Sequence, residues 1–130
     1  MIQAKRLLRF YFNSDGLEAA LNNLILNTAY RSADVTKGGE FYAERIIALV
    51  EAKKRLGELW QYIDGVISSM NGNEIQTLKR YALMRSGIGK LNDGERREIK
   101  RSTIKFTRHM RSLERFKEGV RLVSEYYCLI

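Results

Sequence analysis

Apolar residues between positions 41 and 70 recur on alternating steps of four and three. Tyr42, Ile46, Leu49, Leu56, Trp60, Ile63, Ile67 and Met70 fall on that repeat, and only Lys53 breaks it. Such spacing holds one narrow stripe on one side of a helix. It predicts a helix from about 40 to 70 that packs its seam along another helix. Leu59 and Val66 widen the stripe, so the helix faces more than one neighbour. Asn71-Gly72 marks its end.

Upstream, Leu17, Leu21, Leu24 and Thr28 repeat the same spacing, and Ser14 or Asp15 can cap the segment. Residues 2–12 form either a separate short helix or the same helix kinked near 13–16. The simplest packing is an antiparallel hairpin, 3–30 against 40–70, joined by a polar loop at 31–39. Beyond residue 73 a third helix runs from about 74 to 84, with Ile75, Leu78, Tyr81 and Ala82 on one face. The stretch Ser86-Gly87-Ile88-Gly89-Lys90-Leu91 reads as a turn. Asn92 with Glu95 three residues later has capping-box spacing for a last helix.

That last helix is two-sided. Ile99, Phe106, Met110, Leu113 and Val120 share one face. Arg97, Arg101, Lys105, Arg108 and Arg115 share the opposite one, within ~80° on a wheel of 100° per residue. The expected fold is all-α: a long-helix hairpin over 1–70, as scaffold or dimerisation element, and a small helix-turn-helix-like unit over 71–130. The absence of proline agrees with long helices. With 45% apolar residues, the chain can bury a core despite 29% charge.

Charge sharpens this division. Residues 1–70 carry 9 Lys/Arg against 8 Asp/Glu, whereas 71–130 carry 14 against 7, so +7 of the net +8 lies in the C-terminal part. Arg96, Arg97, Lys100, Arg101, Lys105, Arg108 and Arg111 crowd one run in which Glu98 is the only acid. A basic block on one part of a small protein is the footprint of a polyanion-binding surface, most often nucleic acid. Helical charge runs are usually plain solvated faces. Here, however, the scarcity of acids leaves the mutual repulsion unrelieved by i,i+4 partners.

Candidate duplex-contacting residues are therefore Arg97, Arg101, Ile104, Lys105, Arg108, Arg111 and Arg115. Ser102 joins them only if a turn re-aims it. Arginine and lysine can follow phosphates or pair with guanine, and a methyl group can touch thymine. Ile104 borders the cationic face, where a purely solvated helix has little use for it. The seam at Leu49, Lys53, Leu56, Trp60, Ile63 and Ile67 either packs inside the hairpin or joins two copies. Lys53 either sets register or snorkels at the edge of the core.

Other chemistries find little support. One cysteine, Cys128, and one histidine, His109, cannot build a zinc site or an internal disulfide. Gly87-Ile88-Gly89-Lys90 lacks the spacing of a phosphate loop, and Leu91 follows the lysine. Glu-x-x-His pairs for a diiron site are missing. No enzyme template fits, and neither cofactor nor metal is expected. No apolar run approaches the ~20 residues of a membrane span, and no signal peptide is read at the N-terminus, so a cytoplasmic protein is expected.

Three stretches carry a family resemblance: Gly38-Gly39-Glu40 with Tyr42-Ala43-Glu44-Arg45-Ile46-Ile47, then Ile63-Asp64-Gly65-Val66-Ile67, then Glu74-Ile75-Gln76-Thr77-Leu78-Lys79-Arg80-Tyr81-Ala82. In this order they resemble the ArpU/RinA-like late-gene regulators of phages and prophages of Gram-positive bacteria. The C-terminal part of that group is like region 4 of sigma factors. The resemblance implies a DNA-binding transcriptional regulator with a helix-turn-helix, working in a bacterial host cell. This chain departs from the group at Arg96-Arg97-Glu98-Ile99-Lys100-Arg101-Ser102, which holds no glycine where a turn belongs. Either Ser102 caps a recognition helix after a tight turn, or the turn lies at 87–93 and one long helix follows.

The expected function is a phage-type regulator contacting duplex DNA through its basic C-terminal helix, as a homodimer. The alternative is a small phage-encoded inhibitor or adaptor that docks on a host protein or nucleoprotein. RNA binding through the same stripe is a third reading.

Overall fold

A computed structural model describes residues 2–34, 39–85, 87–110 and 113–129. All six long elements are helices: α1 (Ile2–Phe12), α2 (Ser14–Asp34), α3 (Gly39–Ser68), α4 (Gly72–Leu83), α5 (Asp93–His109) and α6 (Leu113–Leu129). A short 3-10 turn, Ile88–Lys90, lies between α4 and α5.

The chain bends at Asn13 between α1 and α2 without losing its hydrogen-bond ladder. The Asn13 amide donates to the Arg9 carbonyl at 3.0 Å, and the Leu17 amide donates to the Asn13 carbonyl at 3.3 Å. The bend divides the labour. Helix α2 pairs with α3 as the hairpin, whereas α1 leaves it and packs chiefly against α4 and α6. Residues 40–70 are therefore paired chiefly by α2, while α1 meets α3 in a smaller contact around Tyr11 and Trp60. Alternating burial explains why: Ala4, Leu7, Leu8 and Phe10 all sink into the core, more apolar surface than one seam partner could cover. Of the expected loop at 31–39, the part up to Asp34 is helix, and residues 35–38 lie outside the described residues.

One apolar core runs through all six helices. Leu7 and Leu8 (α1), Leu21 (α2), Leu49 and Ile63 (α3), Leu78 (α4), Phe106 (α5) and Val123 (α6) are all shut off from solvent. Residues 1–70 and 71–130 thus share a core. Trp60 of α3 is locked against α1: it stacks on Tyr11 with ring centroids 5.2 Å apart, and its indole N–H donates to the Tyr11 carbonyl at 3.2 Å. Tyr11 in turn donates its hydroxyl proton to Asp64 Oδ1 at 2.6 Å. Burial, then the Asp64 carboxylate, push this phenol up to about 12.

For Leu59 the second neighbour is α6, whose Gly119 lets the helices close. A Cβ at that glycine would lie 3.1 Å from side-chain carbons of both Leu59 and Leu7. Helix starts follow the sequence signals. The Asn92 side chain accepts from the Glu95 amide at 2.8 Å. Asn71, expected only as a helix end, also opens α4 through a complete capping box with Glu74.

The last helix departs from expectation. In place of one element running from Asn92 past Val120, the structure has α5 and α6 with a break after Met110. The Tyr62 hydroxyl donates to the Met110 carbonyl at 2.6 Å, satisfying an orphaned acceptor at that break. Ile99, Phe106 and Met110 still share the buried side of α5.

Candidate nucleic-acid interface

Helix α5 is unbroken from Asp93 to His109, so the turn lies before it, in residues 84–92, and no recognition helix restarts at Ser102. Ser102 is only 2% exposed, packed with Ile99, Thr103 and Phe106 on the side facing the core. It is withdrawn from the candidate contacts. The reason is the one the wheel already contained: with no turn to re-aim it, a 100° step points Ser102 inward.

Helix α4 lies along one flank of α5 and holds it through three polar contacts. Lys105 Nζ donates to Glu74 Oε1 at 2.9 Å, Thr77 Oγ1 donates to Glu98 Oε1 at 3.1 Å, and Arg80 pairs with Glu95 at 3.5 Å. The Lys105 hydrogen bond, then the Asn71 amide, hold the Glu74 carboxyl below its ordinary range. Lys105 is thus a clamp between helices and only half-exposed, although a wheel of α5 alone gives it to the cationic stripe. The His109 ring Nδ1 is 2.9 Å from the Lys105 carbonyl, a contact within the helix that leaves no ligand set around it. Among the described residues no group of three or more His, Cys, Asp and Glu side chains could hold a metal.

The face of α5 turned to solvent carries Arg97, Lys100, Arg101, Ile104, Thr107 and Arg108. On the wheel Arg97, Arg101, Ile104 and Arg108 span about 60°, with Lys100 and Thr107 beside them. The eleven residue steps from Arg97 to Arg108 cover about 16 Å of helix axis, or about five base-pair steps of 3.4 Å. Ile104, 54% exposed, stands in the middle of these cations. Glu98, the acid in this stretch, is turned to Thr77 on the α4 flank. Arg96 is paired with Asp93 at the start of the helix. Of the remaining candidates, Arg111 and the Arg115 side chain lie outside the described residues. Arg115 belongs to α6 and so does not continue the α5 stripe. Lys100 joins the stripe. Its sequence signal was its place in the basic run.

The seam candidates occupy a different part of the molecule. Leu49, Leu56, Ile63 and Ile67 are buried within the chain, and Trp60 is half-buried against Tyr11. These residues pack within the chain as part of its core. Lys53 sits half-buried and lines a groove with Leu21, Leu56 and Trp60.

No protein-family model, curated protein or solved structure matches this chain. Among the described residues, no helix is long and apolar enough to cross a membrane.

Proposed function

We propose that this protein is a DNA-binding regulator of the phage or prophage type, contacting duplex DNA through the outward face of α5. The observation that supports the reading is Arg97, Lys100, Arg101 and Arg108 on the solvent side of one helix whose other sides are fixed to α4 and the core. Helix α5 is about 25 Å long and fits a major groove about 12 Å wide. Arginines track phosphates or read guanine, and Ile104 offers an apolar contact to a thymine methyl. The regulatory role comes from the family resemblance of the sequence alone.

The test is fluorescence anisotropy with random-sequence duplex DNA at two salt concentrations. Binding at low salt that weakens steeply at higher salt supports the reading. Absence of binding at low salt rejects it and transfers the stripe to an acidic surface of a host protein.

A further inference from the structure

Helix α3 carries a second stripe one residue out of phase with its buried seam. Ala43, Ile47, Val50, Lys54, Gly57 and Gln61 repeat on steps of four and three, and every one of them is exposed. Ile47 is 59% and Val50 49% exposed, among the large apolar side chains most open to solvent. Ten residues further on, Gly57 borders a groove of about 340 Å³ whose walls include Leu17, Leu21, Leu56 and Trp60. Nothing lies within 4 Å of where a Cβ on Gly57 would be. Asp15, Glu18, Lys53 and Gln61 also line that groove, so the helix bears an apolar knob and, about 15 Å along it, a hole with mixed apolar and polar walls.

We propose that a second copy of this chain covers this stripe, with the two α3 helices antiparallel about a two-fold axis near Ala52. In that register each position i faces position 104 − i of the other copy. Ile47 enters the groove at the partner copy's Gly57 and receives its counterpart in return, the self-complementarity that a two-fold interface requires. Val50 lies against the stem of Lys54 across the axis. The Lys54 ammonium then comes beside Glu51 of the other copy, two equivalent ion pairs at the rim. Both side chains are exposed in the single chain. A protein partner of another sequence has no reason to match a knob and a hole carried by the same helix. The pairing meets the seam only where Lys53, Leu56 and Trp60 line that groove, and is independent of the α5 stripe.

Sedimentation equilibrium of the full chain, without DNA, tests this. The expected mass is twice the 15.1 kDa of one chain at micromolar concentration. The double variant Ile47→Glu, Val50→Glu should halve it while keeping the far-UV helical signal. Gly57→Trp fills the hole from an exposed position and should do the same, which covers the case in which the glutamates impair folding. In a Cys128→Ser background, Ile47→Cys combined with Gly57→Cys should give covalent dimers on oxidation. A wild-type monomer at tens of micromolar would overturn the proposal. So would a dimer that survives both the glutamate and the tryptophan variants, or a dimer in which the paired cysteines never cross-link.

Discussion

Replacing single cations of α5 and reading the salt dependence of DNA binding separates the face seen in the structure from the one drawn on a helical wheel. Arg97, Lys100, Arg101 and Arg108 are the cations on the open side. If each neutralises one phosphate, log K should fall against log salt with a slope near about −3.6 per protomer on B-DNA. A rise from 50 to 200 mM salt then weakens binding roughly 150-fold. Arg101→Ala should reduce the slope to about −2.7 and the salt effect to roughly 40-fold. Lys105→Ala should leave the slope at the wild-type value, because its ammonium is held by Glu74 at 2.9 Å on the α4 flank. Ser102→Ala should also leave the slope alone. The assay is anisotropy with one labelled duplex across a salt series, with far-UV circular dichroism to confirm the fold of each variant. If Lys105→Ala flattens the slope as much as Arg101→Ala does, Lys105 leaves Glu74 for the DNA and the clamp argument is wrong. An unchanged slope in Arg101→Ala removes this face from the interface altogether.

Three further outcomes follow from the packing. Phe106, fully buried where α5 meets the core, should cost about 3–5 kcal/mol when cut to Ala, seen as a lower urea midpoint. Gly119→Val should destabilise by about 1–3 kcal/mol, because Leu59 and Leu7 stand where its side chain must go; an unchanged midpoint would mean that both leucines yield freely. Glu74 has its carboxyl held low by Lys105 and the Asn71 amide, so its folded pKa lies below its unfolded one. Its contribution is therefore present above the unfolded pKa and lost as pH falls through the folded one. Urea midpoints of wild type and Glu74→Gln should differ at neutral pH and converge once the pH has fallen below the ordinary glutamate range; a gap that persists in strong acid would exclude the charge as its source.

The helices were legible because their signals are local. The four-three repeat from Tyr42 to Met70 appears as α3 and its buried seam, and Asn92 with Glu95 opens α5 as the spacing implies. The boundary near Asn13 was expected and the break after Met110 was not, and both illustrate one limit: apolar periodicity does not reveal which tertiary contacts stabilise a break. The α1–α2 bend at Asn13 is set by the packing of α1 on α4 and α6. The break after Met110 is set in part by the hydroxyl of Tyr62, distant in sequence. Neither partner can be seen from within the segment that bends.

The same limit governs the candidate site. A helical wheel gives the angle of a side chain but not the neighbour that fills it. Lys105 and Arg108 lie about 60° apart on α5, close enough to look like one stripe. Helix α4 occupies one of those directions, and its Glu74 turns Lys105 into a clamp while Arg108 stays open. The diversion has a mechanical consequence. Lys105 with Glu74, Arg80 with Glu95 and Tyr62 with Met110 fix α5 along one flank and at its C-terminal end. Its free cations therefore project from a stiff element, and less backbone entropy is lost when they meet a polyanion. The charge that the helix commits to Glu74 holds the remaining charge in place.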